Sequence, residues 1–228
     1  MAAGQFQAGS TRILYDPDWT SAVSLEWLHP EFWRLRGAVV RELGGRGQAV
    51  AIDTPGGSAV LRRYFRGGQA ARLSRDRYLF SGYARSRGFH EYRVLARLHA
   101  DGLPVPRPLM ASCERRGLTY RAGLMTGLID GAETLVDRAA DLSERNWGSL
   151  ITTLRRFFEA GVVHADLNAA NVLLDGDGCW HLIDFDRARL RRGPVHPAPM
   201  VRRLRRSLVK NGRAEAGERL LREFDLGA

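Results

Sequence analysis

The chain carries two carboxylates and a carboxamide at a spacing that suits phosphoryl transfer from Mg-ATP. Residues 164–171 read HADLNAAN, and residues 182–186 read LIDFD. In this pattern Asp166 accepts the proton of an acceptor hydroxyl, Asn171 holds one Mg2+, and Asp184 joins the metal to the phosphates. Phosphoryl transfer asks little covalent chemistry of a protein, so positioning and charge neutralisation supply most of the rate.

A strand, a tight turn and a second strand are predicted between the two segments. Residues 171–174 (NVLL) and 179–183 (CWHLI) are strand-like, and residues 175–178 (DGDG) form a strong hairpin turn signal. An Asp-rich turn with solvated carboxylates would explain the turn but not the spacing of the polar residues. The pattern therefore favours a catalytic loop held by a hairpin.

A glycine-rich stretch lies earlier in the chain, where a loop covering phosphates is needed. Gly45, Arg46 and Gly47 fall between the predicted strands 38–43 and 48–53. We expect these residues to bind the nucleotide. The full G-x-G-x-x-G pattern is absent, so a plain hairpin turn is the alternative interpretation.

A cation on the next strand and an acid on the following helix complete the expected nucleotide site. Residues 59–63 read AVLRR, which matches the V-A-I-K pattern with arginine in place of lysine. Arg62 shares a strand face with Val60 and is preferred to Arg63. Glu91 is the acid predicted to pair with it, and an unrelated surface ion pair, or no pair, is the alternative.

Two more residues of the loop are grouped with the catalytic set. Asn168 lies two residues after Asp166 and carries no charge, so it can hydrogen-bond to phosphate but cannot neutralise it. Neutralisation of the phosphate charge would then fall to Arg187 or Arg189. The alternative is that these two arginines form a solvated basic face. We interpret His164 as an architectural hydrogen-bonding residue rather than a proton-transfer group.

The pattern of apolar residues predicts an α+β fold in two parts. Residues 1–20 are expected to be disordered or loosely held, residues 21–130 to form an antiparallel sheet with one long helix, and residues 131–228 to be mainly helical. The expected helices cover residues 30–36, 89–100, 142–160, 198–209 and 214–224.

The charge of the chain indicates anionic partners. The formal net charge is +10, and Lys210 is the only lysine among 35 cationic residues. Two cysteines without metal-ligand spacing indicate a reducing compartment. We expect neither a signal peptide nor a transmembrane helix, because no apolar stretch is long enough.

These motifs resemble the eukaryotic-protein-kinase-like superfamily. Since no activation segment follows Asp184, the chain is more similar to small bacterial members that phosphorylate sugars and antibiotics. HADLNAAN, the run LRRYFRGG at residues 61–68, LPVPRP at residues 103–108 and the Arg-rich segment 200–209 resemble 3-deoxy-D-manno-octulosonic acid (Kdo) kinases.

The resemblance covers roughly residues 30–210 and implies a two-lobed protein-kinase-like fold. In that fold an N-terminal sheet lobe with one long helix joins a small, mainly helical C-terminal lobe that carries the catalytic hairpin. It implies ATP and Mg2+ as cofactors, and transfer of the γ-phosphate to the 4-hydroxyl of Kdo on a lipid A precursor. That reaction serves lipopolysaccharide core synthesis at the cytoplasmic face of the inner membrane.

A basic amphipathic helix is expected near the C-terminus. Val201, Leu204 and Leu208 share one face between arginines, so the helix could bind an anionic membrane surface. The alternative is that this face packs on the protein and leaves the arginines in water.

Other functions are compatible with the same sequence. A heptose or other small-molecule kinase, or a minimal protein kinase, would share the same motifs. A pseudokinase-like basic binding module is disfavoured because Asp166, Asn171 and Asp184 are all present. We expect no nucleic-acid partner, because basic and aromatic residues are not interleaved as in single-strand binders. The sequence does not indicate an oligomeric state.

Overall fold

The computed structural model describes residues 3–43, 49–65 and 76–227. The chain divides into two compact units, one of Met1–Ala96 and Arg107–Leu128, the other of Arg97–Pro106 and Ile129–Ala228. The described residues form strands and six α-helices, so the predicted α+β class is confirmed. The predicted parts were residues 21–130 and 131–228, whereas Arg97–Pro106 here belongs to the second unit.

An antiparallel eight-stranded sheet dominates the first unit. Its strands are β1 (Gly4–Ala8), β2 (Thr11–Tyr15), β3 (Val39–Leu43), β4 (Ala49–Thr54), β5 (Gly57–Arg63), β6 (Tyr78–Leu79), β7 (Pro108–Arg116) and β8 (Thr119–Gly127). The order is β1-β2-β7-β8-β5-β4-β3, with β6 paired to β8. The predicted meander of β3, β4 and β5 is therefore present.

The expectation of a disordered or loosely held N-terminus is wrong. Strands β1 and β2 form a hairpin, and β2 pairs with β7 so that Ile13 lies opposite Ser112. Ile13 and Leu14 are 1% and 3% exposed. Burial of these two side chains and the ladder with a distant strand hold the segment, neither of which is visible in its local composition.

Two α-helices lie in or mainly in the first unit, and the last residues of the second of them belong to the other unit. A 3-10 helix (Leu25–Leu28) precedes α1 (Pro30–Arg34), and a second 3-10 helix (Tyr83–Arg85) precedes α2 (Arg87–Ala100). Pro at the first turn of α1 fits its fixed φ. The core beside α1 is a cluster of buried residues from the sheet and the adjoining helices that includes Trp33, Val50, Ile52, Leu61, Met110 and Met125.

The second unit contains the predicted hairpin and four of the helices. Its elements are β9 (Glu133–Thr134), α3 (Leu135–Arg138), α4 (Glu144–Glu159), β10 (Val162–Val163), a 3-10 helix (Ala169–Asn171), β11 (Val172–Leu174), β12 (Trp180–Leu182), β13 (Arg189–Leu190), α5 (Ala198–Lys210) and α6 (Ala214–Glu223). Strands β11 and β12 pair antiparallel, with Leu173 opposite His181. The strand–turn–strand prediction is confirmed.

The apolar face of α5 is buried within the protein. Val201, Leu204 and Leu208 are each 0% exposed, so they are unavailable for insertion into a bilayer. The apolar face therefore packs on the protein, as in the second interpretation of this helix, and Arg202, Arg203 and Arg206 are exposed. Across the three described ranges, no helix combines the length and the apolar character that a membrane crossing requires.

Candidate active site

The turn of the β11–β12 hairpin is held by the side chain of Asp175. Its Oδ1 accepts hydrogen bonds from the backbone N–H groups of Asp177 (3.0 Å) and Cys179 (2.8 Å), and its Oδ2 lies 2.7 Å from Nε2 of His181. Burial acts against ionisation, but the bonds from Cys179 and His181 outweigh it and lower the pKa of Asp175. The turn is thereby fixed, and the loop before β11 has a rigid support.

The backbone carbonyl oxygen of Asp166 accepts two side-chain hydrogen bonds. Nδ2 of Asn171 donates at 2.9 Å and Nδ2 of Asn168 donates at 3.2 Å. Oδ1 of Asn168 also accepts from the backbone N–H of Ala170 at 3.0 Å, which caps the 3-10 helix. The loop is thus closed on itself, while the Asp166 side chain stays 53% exposed. Its carboxylate is accessible to an acceptor hydroxyl.

His164 is buried at the start of the loop and connects it to the residue that follows β12. Nε2 lies 3.0 Å from the carbonyl oxygen of Ile183, and Nδ1 accepts from the backbone N–H of Asp166 at 3.3 Å. This pattern assigns the proton to Nε2 of a neutral ring. Burial lowers the pKa of His164, although the Ile183 carbonyl acts in the opposite direction. These contacts support the interpretation of His164 as a positioning residue.

Asp184 follows β12 in a backbone conformation that is rare outside glycine. Its φ is +67°, in the left-handed region that aspartate and asparagine adopt more readily than other residues. On one side, the N–H of Ile183 donates to the carbonyl oxygen of Asn171 at 3.1 Å. On the other, Phe185 is fully buried, with its ring centroid 4.8 Å from that of His164. The position of Asp184 is therefore fixed relative to the loop.

The side chains assigned to the metal fit Mg2+. Asn171 and Asp184 offer oxygen ligands, which are those that Mg2+ prefers. Because Nδ2 of Asn171 is engaged by Asp166, its Oδ1 is the end of the amide left for a cation. Within the described ranges, no cluster of three or more His, Cys, Asp or Glu residues suggests another metal. One carboxylate and one amide oxygen suit Mg2+, because this ion usually keeps waters and substrate phosphates as its other ligands.

The predicted pairing of Arg62 with Glu91 is confirmed. Glu91 lies on α2 and is 2% exposed, and one of its carboxylate oxygens contacts Nη2 of Arg62 on β5. The alternative cation, Arg63, instead approaches Asp76 at 3.6 Å. The choice of Arg62 follows from strand alternation, since its neighbour Leu61 is fully buried.

Tyr64 is a third member of this cluster that sequence reasoning missed. Its hydroxyl donates to the same Glu91 oxygen at 2.5 Å. Burial first, and the Glu91 charge second, raise the pKa of Tyr64 well above its usual value, so the phenol keeps its proton. The guanidinium of Arg62 also lies 5.0 Å from the Tyr64 ring centroid. The available signal was the position of Tyr64 directly after β5, two residues from Arg62 and therefore on the same side of the extended chain.

Helix α5 contributes contacts to the catalytic loop that the sequence did not reveal. The backbone N–H of His164 donates to Sδ of Met200 at 3.3 Å, and the N–H of Ala169 donates to Oγ of Ser207 at 3.1 Å. Between them, Nη1 of Arg203 lies 3.5 Å from Oδ1 of Asp166. Spacings of three and four residues put these side chains on one helix face, which is the signal that could have indicated them.

The structure brings together part of the predicted site. His164, Asp166, Asn168, Asn171 and Asp184 share the loop and hairpin of the second unit. Arg62 and Glu91 form their pair within the first unit. Gly45, Arg46 and Gly47 lie outside the described residues, so their assignment to the nucleotide stays a prediction.

Comparison with known proteins identifies the family. The model of the lipopolysaccharide kinase (Kdo/WaaP) family matches residues 30–221. The chain belongs to this family. One relative is a 3-deoxy-D-manno-octulosonic acid kinase from Stenotrophomonas maltophilia (strain R551-3), 42% identical over 204 residues, covering 89% of this chain and 82% of the relative. Another, with the same name, is from Xanthomonas oryzae pv. oryzae (strain PXO99A), 40% identical over 220 residues, covering 95% and 88%.

One solved structure is similar to part of this chain. The yeast RNA Pol II CTD kinase CTDK-1 complex contains a chain that aligns with a TM-score of 0.46 and 13% sequence identity, covering 68% of this chain and 47% of that one. Membership in the lipopolysaccharide kinase family gives the reaction class. The chain is an ATP-dependent phosphotransferase of lipopolysaccharide core synthesis that acts on a sugar hydroxyl.

Proposed function

We propose that this enzyme transfers the γ-phosphate of ATP to the 4-hydroxyl of Kdo on a lipid A precursor. The observation that supports it best is the exposed Asp166 carboxylate, whose backbone is fixed by Asn168 and Asn171. The relatives named as Kdo kinases support the choice of sugar, because they cover most of this chain.

Asp166 acts as the general base in this proposal. A hydroxyl within hydrogen-bond distance of the carboxylate would pass its proton to Asp166 as its oxygen attacks the γ-phosphorus. The bond from that phosphorus to the β,γ-bridging oxygen breaks, and ADP leaves. Such general base catalysis typically contributes about 10²- to 10⁴-fold to the rate. The bonds at the Asp166 carbonyl oxygen reduce the motion of the loop, so the acceptor oxygen is oriented before reaction. His164 holds the same residue from its backbone N–H.

Asn171 and Asp184 hold Mg2+ in this proposal. When bound, the ion supplies charge neutralisation to the β- and γ-phosphate oxygens. The support is their oxygen donors, the engaged amide nitrogen of Asn171 and the left-handed backbone of Asp184. Such backbone conformations persist at functional positions when the surrounding structure holds them.

Arg62 is assigned to the phosphates of ATP, in the place where many kinases carry a lysine. Glu91 and Tyr64 position it: the buried carboxylate pairs with the guanidinium, and the phenol donates to the same carboxylate. A planar guanidinium is suited to phosphate oxygens. We expect Gly45, Arg46 and Gly47 to cover the phosphates.

The proposed location is the cytoplasmic face of the inner membrane, with the arginines of α5 facing anionic lipid. Arg202 and Arg206 are exposed on this helix, whereas its apolar face is buried. Contact would therefore be electrostatic, at about 1 kcal/mol for each arginine near the surface. Co-sedimentation with anionic vesicles should fall when salt rises, and should fall for Arg202→Glu/Arg206→Glu. Binding that is insensitive to both changes would contradict this placement.

The decisive experiment is a Mg-ATP phosphotransfer assay on a Kdo-bearing lipid A precursor, read by product mass. The wild-type chain should add one phosphate, and Asp166→Ala should reduce the rate by about 10²- to 10⁴-fold while still binding ATP. The matched control is Asp177→Ala, which removes an exposed aspartate of the neighbouring hairpin turn. Transfer by Asp166→Ala at the wild-type rate would overturn the base assignment, and absence of transfer by the wild type would overturn the acceptor.

A further inference from the structure

Arg203 is the cationic side chain placed beside the proposed base. Its Nη1 lies 3.5 Å from Oδ1 of Asp166, and the two side chains are 47% and 53% exposed. A charge-assisted N–H···O bond is typically about 2.7–2.9 Å long, so Arg203 is not bonded closely to Asp166. Among the described residues, Asp166 is the only carboxylate within ion-pair distance of Arg203. The guanidinium thus retains donors for a second anion.

The position of Arg203 is fixed by its helix. One turn before it, Met200 accepts from the backbone of His164, and one turn after it, Ser207 accepts from the backbone of Ala169. Both partners belong to the loop that carries Asp166. Val201 and Leu204, on either side of Arg203 in sequence, are 0% exposed. The backbone of Arg203 is therefore held at a constant distance from the catalytic loop. A binding residue needs this kind of preorganisation.

An acceptor that places its hydroxyl on Asp166 must pass within reach of this guanidinium. The proposed acceptor, Kdo, carries a carboxylate on the same ring as the reacting hydroxyl. Arginine recognises carboxylate through paired N–H···O bonds, and a neutral sugar offers no such partner. We propose that Arg203 binds the carboxylate of the acceptor sugar and makes the enzyme selective for an acidic sugar, an inference that rests on the function proposed above.

A competing role for Arg203 is neutralisation of the transferred phosphoryl group. The two roles differ in what they respond to. An arginine that contacts phosphate would be needed with any acceptor, whereas one that contacts the sugar carboxylate is needed only when that group is present. Its loss should then raise the KM for the acceptor, with little change in kcat or in the KM for ATP, because the contact is made before and during reaction.

The test is a cycle of two enzymes and two acceptors. Wild type and Arg203→Gln are assayed, in neutral detergent micelles, with the Kdo-bearing precursor and with the same precursor after reduction of the Kdo carboxylate to an alcohol. With the acidic acceptor, Arg203→Gln should lose about 10- to 100-fold in kcat/KM, as expected for one charge-assisted contact. With the reduced acceptor, the two enzymes should differ by less than about 3-fold.

Two further variants separate this effect from charge and folding. Arg145→Gln removes an exposed arginine from α4 and should behave as wild type with both acceptors. Arg203→Lys keeps the charge without the planar fork and should recover part of the loss. All the variants should unfold at the wild-type temperature. Equal losses with the two acceptors would overturn the inference and leave the proposed function in place. No transfer by the wild type to either acceptor would overturn both.

Discussion

The side-chain nitrogen of Asn171 donates a 2.9 Å hydrogen bond to the backbone carbonyl oxygen of Asp166. One hydrogen bond therefore joins the residue of the proposed base to a proposed metal ligand. The bond fixes which end of the Asn171 amide is left for a cation. It also means that the loop before β11 and the metal-binding side chain cannot move independently of each other.

Removal of the Asn171 amide should weaken binding of Mg2+. Loss of a residue that merely orients a ligand typically costs about 10- to 100-fold in metal affinity, and Asn171→Ala removes a ligand itself. We expect the Mg2+ concentration for half-maximal ATP binding, measured by calorimetry, to rise at least about 10-fold. Asn168→Ala is the comparison, because Asn168 donates to the same carbonyl oxygen. It should lower the free energy of unfolding by about 1 kcal/mol without changing the Mg2+ requirement.

The left-handed backbone at Asp184 allows its charge and its conformation to be tested separately. Asparagine also tolerates φ of +67°, so Asp184→Asn should remove the carboxylate charge with little strain. Alanine does not, and Asp184→Ala should lose about a further 1–2 kcal/mol of stability. Both variants should lose Mg-ATP affinity, whereas thermal unfolding without metal should distinguish them. Unchanged nucleotide affinity in Asp184→Asn would remove this residue from the metal site.

The local part of the site could be predicted from sequence, because its residues lie close together along the chain. The bonds of Asp166 with His164 and with Asn171, and the Asp175 turn, join residues that are two to five positions apart. The Arg62–Glu91 pair spans 29 residues, yet strand alternation and the position of α2 were enough to indicate it.

Contacts set by tertiary packing were not predictable. Strand β2 pairs with β7 so that Ile13 lies opposite Ser112, and a local window around Ile13 contains no signal for that partner. Arg203 lies in a helix whose arginines look equivalent in sequence. The contacts of Met200 and Ser207 with the loop backbone show which of these arginines lies beside Asp166. The amphipathic pattern of this helix was visible in the sequence, but not that its apolar face is buried against the protein.

The hydrogen bond from Tyr64 to Glu91 should contribute to stability as well as to the position of Arg62. Tyr64→Phe removes a bond to a buried charged group and should lower the free energy of unfolding by about 1.5–3 kcal/mol. Arg62→Ala removes the guanidinium that contacts the buried Glu91 carboxylate and should cost about 3 kcal/mol or more. Chemical denaturation would measure both effects.

Arg63→Ala is the matched control for the Arg62 and Tyr64 variants. Arg63 is the next residue of the strand, and its ion pair with Asp76 is long at 3.6 Å. Such partly exposed pairs typically contribute about 0–1 kcal/mol. If Arg63→Ala lowered the free energy of unfolding as much as Arg62→Ala, the contact of Arg62 with buried Glu91 would stabilise the protein no more than a partly exposed ion pair.

The buried, neutral ring of His164 should make stability depend on pH. Burial lowers its pKa in the folded protein, so between that value and about 6.5, the usual pKa of histidine, the unfolded chain binds the additional proton. Stability from this residue is therefore fully present above about pH 6.5 and is lost as the pH falls toward the folded-state pKa. His164→Gln does not titrate and should show no such contribution.

The measurement is urea unfolding of wild type and His164→Gln from about pH 7.5 to about pH 5.5. The variant should be less stable at the upper pH, because its side chain cannot reproduce both ring contacts with Ile183 and Asp166. The gap should narrow as the pH falls, since only the wild type loses the histidine contribution. Comparing the two proteins cancels the carboxylates that titrate in both. A gap that stays constant would mean that folding does not shift the pKa of His164, and a gap that widens toward low pH would mean that folding raises it; either result would contradict the buried, neutral ring.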